Sequence, residues 1–271
     1  MLIVAAFFGN LINTNGDHRM LDSFLMAFSL YSKIPVPQRQ WNDKSMKYCI
    51  CFLPLVGAVI GVLQYFAFIL LQRLSLGAVF RGAVLSVLPV LVTGGIHMDG
   101  YLDTCDAIHS YGTREKKLEI LKDPHVGAFA VMGGIAYLLL SLGIWSEAGS
   151  GEIITLCLLF PLSRALSAYA ALTFPKAKKD GMLRGETDPA AGSSAAAMAG
   201  TALLTGGLIL WSGRECGIAA VVSSLAVLWY YRRMAVRQFG GTTGDLSGWF
   251  TQCCELAAAG AVVLVSHLPI A

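Results

Sequence analysis

Apolar positions in this chain come in long, nearly unbroken runs. They lie near 50–71, 78–96, 128–146, 152–173, 194–212, 215–231 and 250–268. Each reaches or approaches the roughly 20 residues a helix needs to cross a hydrocarbon core. The fifth and sixth are the weakest, being rich in Ala and Gly or short. A further apolar segment, 21–31 (LDSFLMAFSLY), is too short to span and is expected to lie in the membrane interface. The pattern predicts an all-α fold: a polytopic transmembrane helical bundle with about seven spans plus short interfacial helices.

The basic residues test this division. Loops 31–48, 97–127 and 174–193 each carry four Lys or Arg, and loop 232–249 carries three. The alternate loops carry few. Arg73 lies in 72–77 with Arg81 just inside the next span, Arg214 lies in 213–214, and 147–151 and the C-terminal tail have none. Positive charge collects on cytoplasmic loops. The asymmetry supports all seven spans and puts the long loops in the cytoplasm of a multi-pass protein of the cell (inner) membrane.

Composition agrees. Of 271 residues, 55% are hydrophobic and only 14% charged, about half the charge of a soluble domain. Mean hydropathy is +0.63. Disorder is excluded by the apolar content. A net charge of +3 carries no signature of nucleic-acid binding. The seven cysteines, an odd count, lie mostly in apolar stretches, where Cys acts as a small hydrophobe. Cys49/Cys51 or Cys253/Cys254 could ligate a metal, but no second Cys/His pair has zinc-like spacing. The N-terminal MLIVAAFFGNLIN lacks the basic start of a secretory signal. Residues 1–19 are read as an upstream extension if Met20 is the start, and 20–271 as a single integral membrane catalytic domain.

Acidic residues concentrate in loop 97–127. Asp99, Asp103 and Asp106 are spaced i, i+4, i+7 within GGIHMDGYLDTCDAIHS. On a helix they fall within roughly 60° of one another. Three carboxylates on one stripe repel unless a cation sits among them. Carboxylates of this kind bind Mg²⁺ together with substrate phosphates. A solvated helix face is the plain alternative. Gly94, Gly95 and Gly100 would let a phosphate-bearing substrate approach the backbone. His97 falls opposite Asp99 and is either a substrate group or a packing residue; His109 and His125 are weaker signals.

Two further segments belong to the same predicted side. In KLEILKDPHVGAF, residues 117–129, a short interfacial helix is expected to end before Pro124. Asp123 there either reaches the metal cluster or marks a turn. In GGTTGDLSG, residues 240–248, glycines including Gly241 and Gly244 flank Asp245. Amides at such a helix start can hold phosphate oxygens; an ordinary loop with Asp245 as helix cap is the alternative. Arg164 sits inside a predicted span, where an Arg is functional or paired by default. Its partner would be an aspartate or a substrate phosphate, unless a displaced helix end makes it a plain boundary charge. Lys176, Lys178, Lys179 and Arg184 either attract an anionic substrate or only set topology.

These motifs have a family likeness. Gly94-Gly95-Ile96-His97-Met98-Asp99-Gly100 followed by Asp103-Thr104-Cys105-Asp106 resembles the signature of the cobalamin synthase (adenosylcobinamide-GDP ribazoletransferase) family. So do Leu118 to Asp123 followed by Gly127, Ile34-Pro35-Val36-Pro37, Leu53 to Gly57, Ser163-Arg164, and Gly240-Gly241 with Thr243-Gly244-Asp245. The matches keep family order from about residue 23 to the C-terminus. The chain departs at Leu102 and Ala107, where the family commonly has Ala and Gly, and at Pro124-His125, where it often has Ser-Arg.

The resemblance implies a Mg²⁺-dependent membrane enzyme of late cobalamin biosynthesis. It would join adenosylcobinamide-GDP to α-ribazole or its 5′-phosphate and release GMP. Metal ligands would be Asp99, Asp103, Asp106, Asp123 and Asp245, with Asp103 or Asp106 as catalytic groups. His97, Gly95, Gly100, Arg164, Gly241 and Gly244 would contact substrate. The lipid bilayer is the other partner, and a homo-oligomer stays open. Another Mg²⁺-dependent phosphotransferase or prenyltransferase is the alternative, but the chain has no D-G-x-x-A-R or N-D-x-x-D run. A cation transporter would need its carboxylates near the bilayer midplane rather than at one boundary.

Overall fold

The computed structural model describes residues 19–38, 46–177, 182–190 and 192–269. The proposed extension up to residue 18, and Arg39, Lys44, Lys178 and Lys179, lie outside the described residues. The described chain is helical apart from loops and one isolated bridge between Lys176 and Thr242. In chain order the helices are α1 (Arg19–Tyr31), a 3-10 turn (Cys49–Phe52), α2 (Leu53–Arg73), α3 (Ala78–Thr93), α4 (Ile96–His109) and α5 (Arg114–Ile120). There follow α6 (Ala128–Glu147), α7 (Ile153–Thr173), α8 (Met182–Thr187), α9 (Ser194–Met234), a π-helical turn (Ala235–Phe239) and α10 (Gly244–Ser266).

Five stretches are long and apolar enough to cross a membrane, and α3–α4 would make a sixth only if that bent pair counted as one span. The stretch Ser194–Phe239 has 46 residues, far more than the roughly 20 one crossing needs. It does not run straight. Arg214 takes φ 47°, ψ −119°, and the helix folds back there. A Cβ at Gly217 would lie 2.3 Å from the Ile209 carbonyl oxygen, and one at Gly206 would touch Val221. These pairs are symmetric about the turn, so residues 194–213 and 215–234 are the two arms of an antiparallel hairpin. Counted by arms, the helices α2, α3, α6, α7, the two arms of α9 and α10 follow the seven apolar runs of the sequence.

The central helix is α7, in which every residue from Leu159 to Ala168 is buried. Outer helices turn apolar side chains outward: Leu138, Leu139 and Leu140 on α6, and Leu203, Leu204 and Trp211 on α9 are exposed. In water this surface would be unfavourable, but in lipid it is the solvent-facing side. Helix α1 is a 13-residue helix with Leu25 to Phe28 buried, and the Lys33 amide that follows it donates to the Val92 carbonyl at 2.8 Å.

The two ends of the bundle differ. At one end the loops after α2, α6 and the first arm of α9 gather with the C-terminus. Gln72 bonds Ser150 at 3.2 Å, Thr155 meets Ser212 at 3.4 Å, and His267 lies 3.6 Å from Glu147. At the other end the four Lys- and Arg-rich loops meet. Tyr31 bonds Glu186, Lys117 Nζ donates to Gln238 at 2.7 Å, and Thr242 exchanges backbone bonds with Pro175 and Ala177. The described Lys and Arg residues of these loops therefore lie at one end of the bundle.

Candidate active site

The site begins with a turn. Gly94 (φ +66°) ends α3 and Gly95 (φ +83°) starts α4, both left-handed. Only glycine adopts two such conformations in succession cheaply. They swing α4 through 98° relative to α3. Helix α4 thus runs across the basic end of the bundle instead of continuing the span, and its acidic stripe stays at the boundary.

Helix α4 then crosses the first turn of α10. A Cβ at Gly100 would come within 2.6 Å of the Asp245 carbonyl oxygen, and one at Gly248 within 2.9 Å of the His97 carbonyl oxygen. Each helix offers a glycine where the other's backbone passes. Thr243 caps α10, its Oγ1 accepting from the Leu246 amide at 3.2 Å. The cap is Thr243, and Asp245 stands one residue inside the helix, where a carboxylate favours the positive helix end.

Between these helices, α1, α7 and α8 lies a cavity of about 330 Å³. Asp99 and Asp245 line it from α4 and α10, with His97, Thr242, Thr243, Gly244 and Ser247 beside them. Tyr31, Lys176, Arg184 and Glu186 form another part of the wall. Lys176 and Arg184 both pair with Asp188, at 2.9 and 3.5 Å.

The candidate ligands divide. Asp99, Asp103, Asp106 and Asp245 share one electrostatic field. The Asp103 carboxyl is pushed up to about 6, by burial first and then by the charges of Asp99, Asp245 and Asp106. Asp103 does not line the cavity. Asp106 is committed elsewhere. Its two oxygens accept from the Gly127 amide at 2.7 Å and the Ala130 amide at 2.8 Å, so it caps α6 across 21 residues of chain. Asp123 neither lines the cavity nor contributes to the Asp103 shift. It is about half exposed, and its Oδ1 accepts from the His125 amide at 3.0 Å and meets the ring Nδ1 at 2.6 Å. These contacts fit the turn reading of Asp123.

The candidate substrate contacts divide too. His97 and Gly244 line the cavity, and a side chain at Gly244 would meet nothing within 4 Å. The His97 ring stacks on Tyr31 with centroids 6.4 Å apart. Burial, helped by the Arg164 charge, lowers its pKa to about 3, so the ring is neutral, and its Nδ1 is buried without a protein partner. Gly95 shapes the turn and is not in the wall. Gly100 admits close backbone approach, but the visitor is α10 rather than a ligand. Gly241 likewise gives way to the backbone of Pro175 and Lys176. Arg164 is fully buried and pairs with Glu255 of α10 at 2.5 Å, not with an aspartate of α4.

Among the described residues no three His, Cys, Asp or Glu side chains converge tightly enough for an all-protein metal cage. The seven thiols are all free.

The family's profile, described as cobalamin-5-phosphate synthase, matches residues 23–263. The chain belongs to the cobalamin-5-phosphate synthase family. A curated relative named adenosylcobinamide-GDP ribazoletransferase, from Lachnoclostridium phytofermentans, is 41% identical over 93% of this chain and 97% of its own. Relatives of the same name from Desulfitobacterium hafniense and Clostridium botulinum are 31% and 27% identical, each over 85% of this chain and 92% of their own. No solved structure matches the chain.

Within this family fold, the sequence motifs missed Tyr31, Glu186, Thr242 and Ser247 as wall residues. The first two carried no local signal, because Tyr31 and Glu186 are 155 residues apart and meet only through packing.

Proposed function

We propose that this chain transfers the phosphocobinamide part of adenosylcobinamide-GDP to α-ribazole or α-ribazole 5′-phosphate, releasing GMP and forming adenosylcobalamin or its 5′-phosphate. It works at the cytoplasmic face of the inner membrane and needs Mg²⁺. The observation that carries the reading is the wall shared by α4 and α10, where Asp99 and Asp245 face one cavity beside a helix N-terminus. The collected Lys and Arg loops at that end support the cytoplasmic orientation.

The donor set suits Mg²⁺. This ion keeps several waters and takes one or two carboxylates plus substrate phosphates, so it needs no all-protein cage. Asp99 and Asp245 would hold it, and Asp103 shares their electrostatic field. Like charges that raise the Asp103 carboxyl are the state a divalent cation relieves. When bound, the ion supplies charge neutralisation on the diphosphate and on the leaving GMP.

The remaining work falls to the protein. The start of α10 turns its positive end toward the diphosphate. Lys176 and Arg184 draw anionic groups into the cavity, and Asp188 holds both in place. Neutral His97 offers a hydrogen bond without adding charge. A cavity of about 330 Å³ accommodates the diphosphate and ribose while the corrin macrocycle stays at the mouth.

The test is GMP release from membranes containing the protein, given adenosylcobinamide-GDP and α-ribazole 5′-phosphate, with Mg²⁺ or EDTA. Wild type and Asp123→Asn should give Mg²⁺-dependent GMP and a matching new corrinoid. Asp103→Asn should give neither while inserting normally. EDTA-insensitive turnover would remove the metal, and absence of product from folded wild type would remove the substrate assignment.

A further inference from the structure

Among the described residues three carboxylates line the cavity, and two of them belong to the α4–α10 cluster. The third is Glu186 on α8, 6% exposed, on a different part of the wall. Tyr31 OH donates to its Oε2 at 2.8 Å, which anchors one carboxylate oxygen and leaves Oε1 as the second acceptor. The other acidic candidates, Asp103, Asp106 and Asp123, do not line the cavity; both Asp106 oxygens accept from amides at the start of α6, and Asp123 meets His125.

We propose that Glu186 is the catalytic residue that takes the proton from the attacking hydroxyl of the acceptor. This inference rests on the transferase reading and adds the general base to it. The ribose hydroxyl oxygen forms a new bond to the phosphorus that carries the cobinamide. The bond from that phosphorus to the bridging oxygen breaks, and its electron pair leaves on the GMP phosphate. The hydroxyl proton passes to Glu186 Oε1 and is later lost to solvent. Tyr31 is a positioning residue, acting through Glu186.

The surroundings suit the role. Burial pushes the Glu186 carboxyl up to about 7, against a smaller lowering by the Tyr31 hydrogen bond. A base of that strength is half ionised near neutrality and accepts a proton better than an exposed carboxylate does. Among the described residues, the titratable and charged groups around it are Tyr31 from α1, Cys49 from the 3-10 turn, His97 and Asp99 from α4, Lys176 from the segment after α7, Arg184 from α8 itself, Asp188 paired to both basic groups, and Asp245 from α10.

The experiment follows GMP release by the purified full-length protein with both substrates and Mg²⁺, from about pH 5.5 to 9. Wild type should show a rising limb in kcat near neutrality. Glu186→Gln should lower kcat by about 100-fold or more, keep KM within about threefold, and lose the limb. Tyr31→Phe should stay active at high pH with its limb moved upward, because the carboxylate loses a stabilising donor. Glu186→Gln with near-normal kcat, a loss confined to KM, or an unmoved limb in Tyr31→Phe would overturn the assignment. If wild type itself releases no GMP, the transferase reading fails and takes this inference with it. A fully active Glu186→Gln enzyme defeats the inference alone.

Discussion

Gly100 of α4 lies against the backbone of Asp245 so closely that a Cβ there would sit 2.6 Å from the Asp245 carbonyl oxygen and 2.8 Å from its Cα. No real Cβ tolerates that distance, and backbone cannot rotate away as a side chain can. The glycine therefore sets the separation of the two helices that carry Asp99 and Asp245. Gly100→Ala should move α4 off α10 by about 1 Å and lower GMP release by roughly 100-fold, the scale expected for such a misplacement of catalytic groups. Insertion and yield should stay near wild type, since the three nearest atoms to a Cβ at Gly100 all belong to Asp245. Full activity in Gly100→Ala would mean that the two carboxylates need not be held at that spacing.

Much of this arrangement was legible in the chain. The Gly94-Gly95 pair and the i, i+4, i+7 aspartates are local features, and local periodicity fixes which residues share a helix face. The loop charges likewise report topology directly. What the chain hid was pairing at a distance. Asp106 sits on the same stripe as Asp99 and Asp103, yet the start of α6 arrives there and takes both its oxygens. The Arg164 partner is 91 residues away on α10, and the Glu186 partner 155 residues away on α1. Gly241 and Gly100 look alike in sequence to glycines that cradle phosphate, and only packing reveals that protein backbone already fills the space.

Stability should depend on pH through Glu186. Its ordinary carboxyl value of 4.5 rises to about 7 in the fold, chiefly by burial. Below 4.5 the group is protonated in both folded and unfolded chains and contributes no difference. Between 4.5 and 7 the unfolded chain ionises freely while the fold retains the proton, so the fold binds more protons and stability falls as pH rises. Above 7 the loss is complete, at about 3 kcal/mol by the linkage relation. Denaturation of the detergent-purified protein in EDTA, followed from about pH 5 to 8, should show this decline. Glu186→Gln should flatten its share of the slope. Parallel curves for the two proteins would assign the pH dependence to other groups.

The Arg164–Glu255 pair makes the opposite kind of prediction, because both charges are inside the bundle. Arg164 is fully buried between α7 and α10, and its Nη1 donates to Glu255 at 2.5 Å and to the Phe160 carbonyl at 3.1 Å. Ser163 Oγ also donates to Glu255 at 2.7 Å. Removing one partner strands the other charge in a low-dielectric interior, which costs about 3–5 kcal/mol. Arg164→Met or Glu255→Leu alone should therefore lower the thermal midpoint sharply and reduce the yield of folded protein. Removing both charges leaves neither stranded, and a hydrophobic pair of similar volume is often neutral or better. The double variant should recover most of the midpoint. Activity then separates the two roles that an intramembrane Arg can have. If Arg164 only ties α7 to α10, the refolded double variant should release GMP at close to the wild-type rate. A double variant that folds well but makes no product would show that Arg164 also meets the substrate, and that its pairing with Glu255 is the resting state of a binding residue.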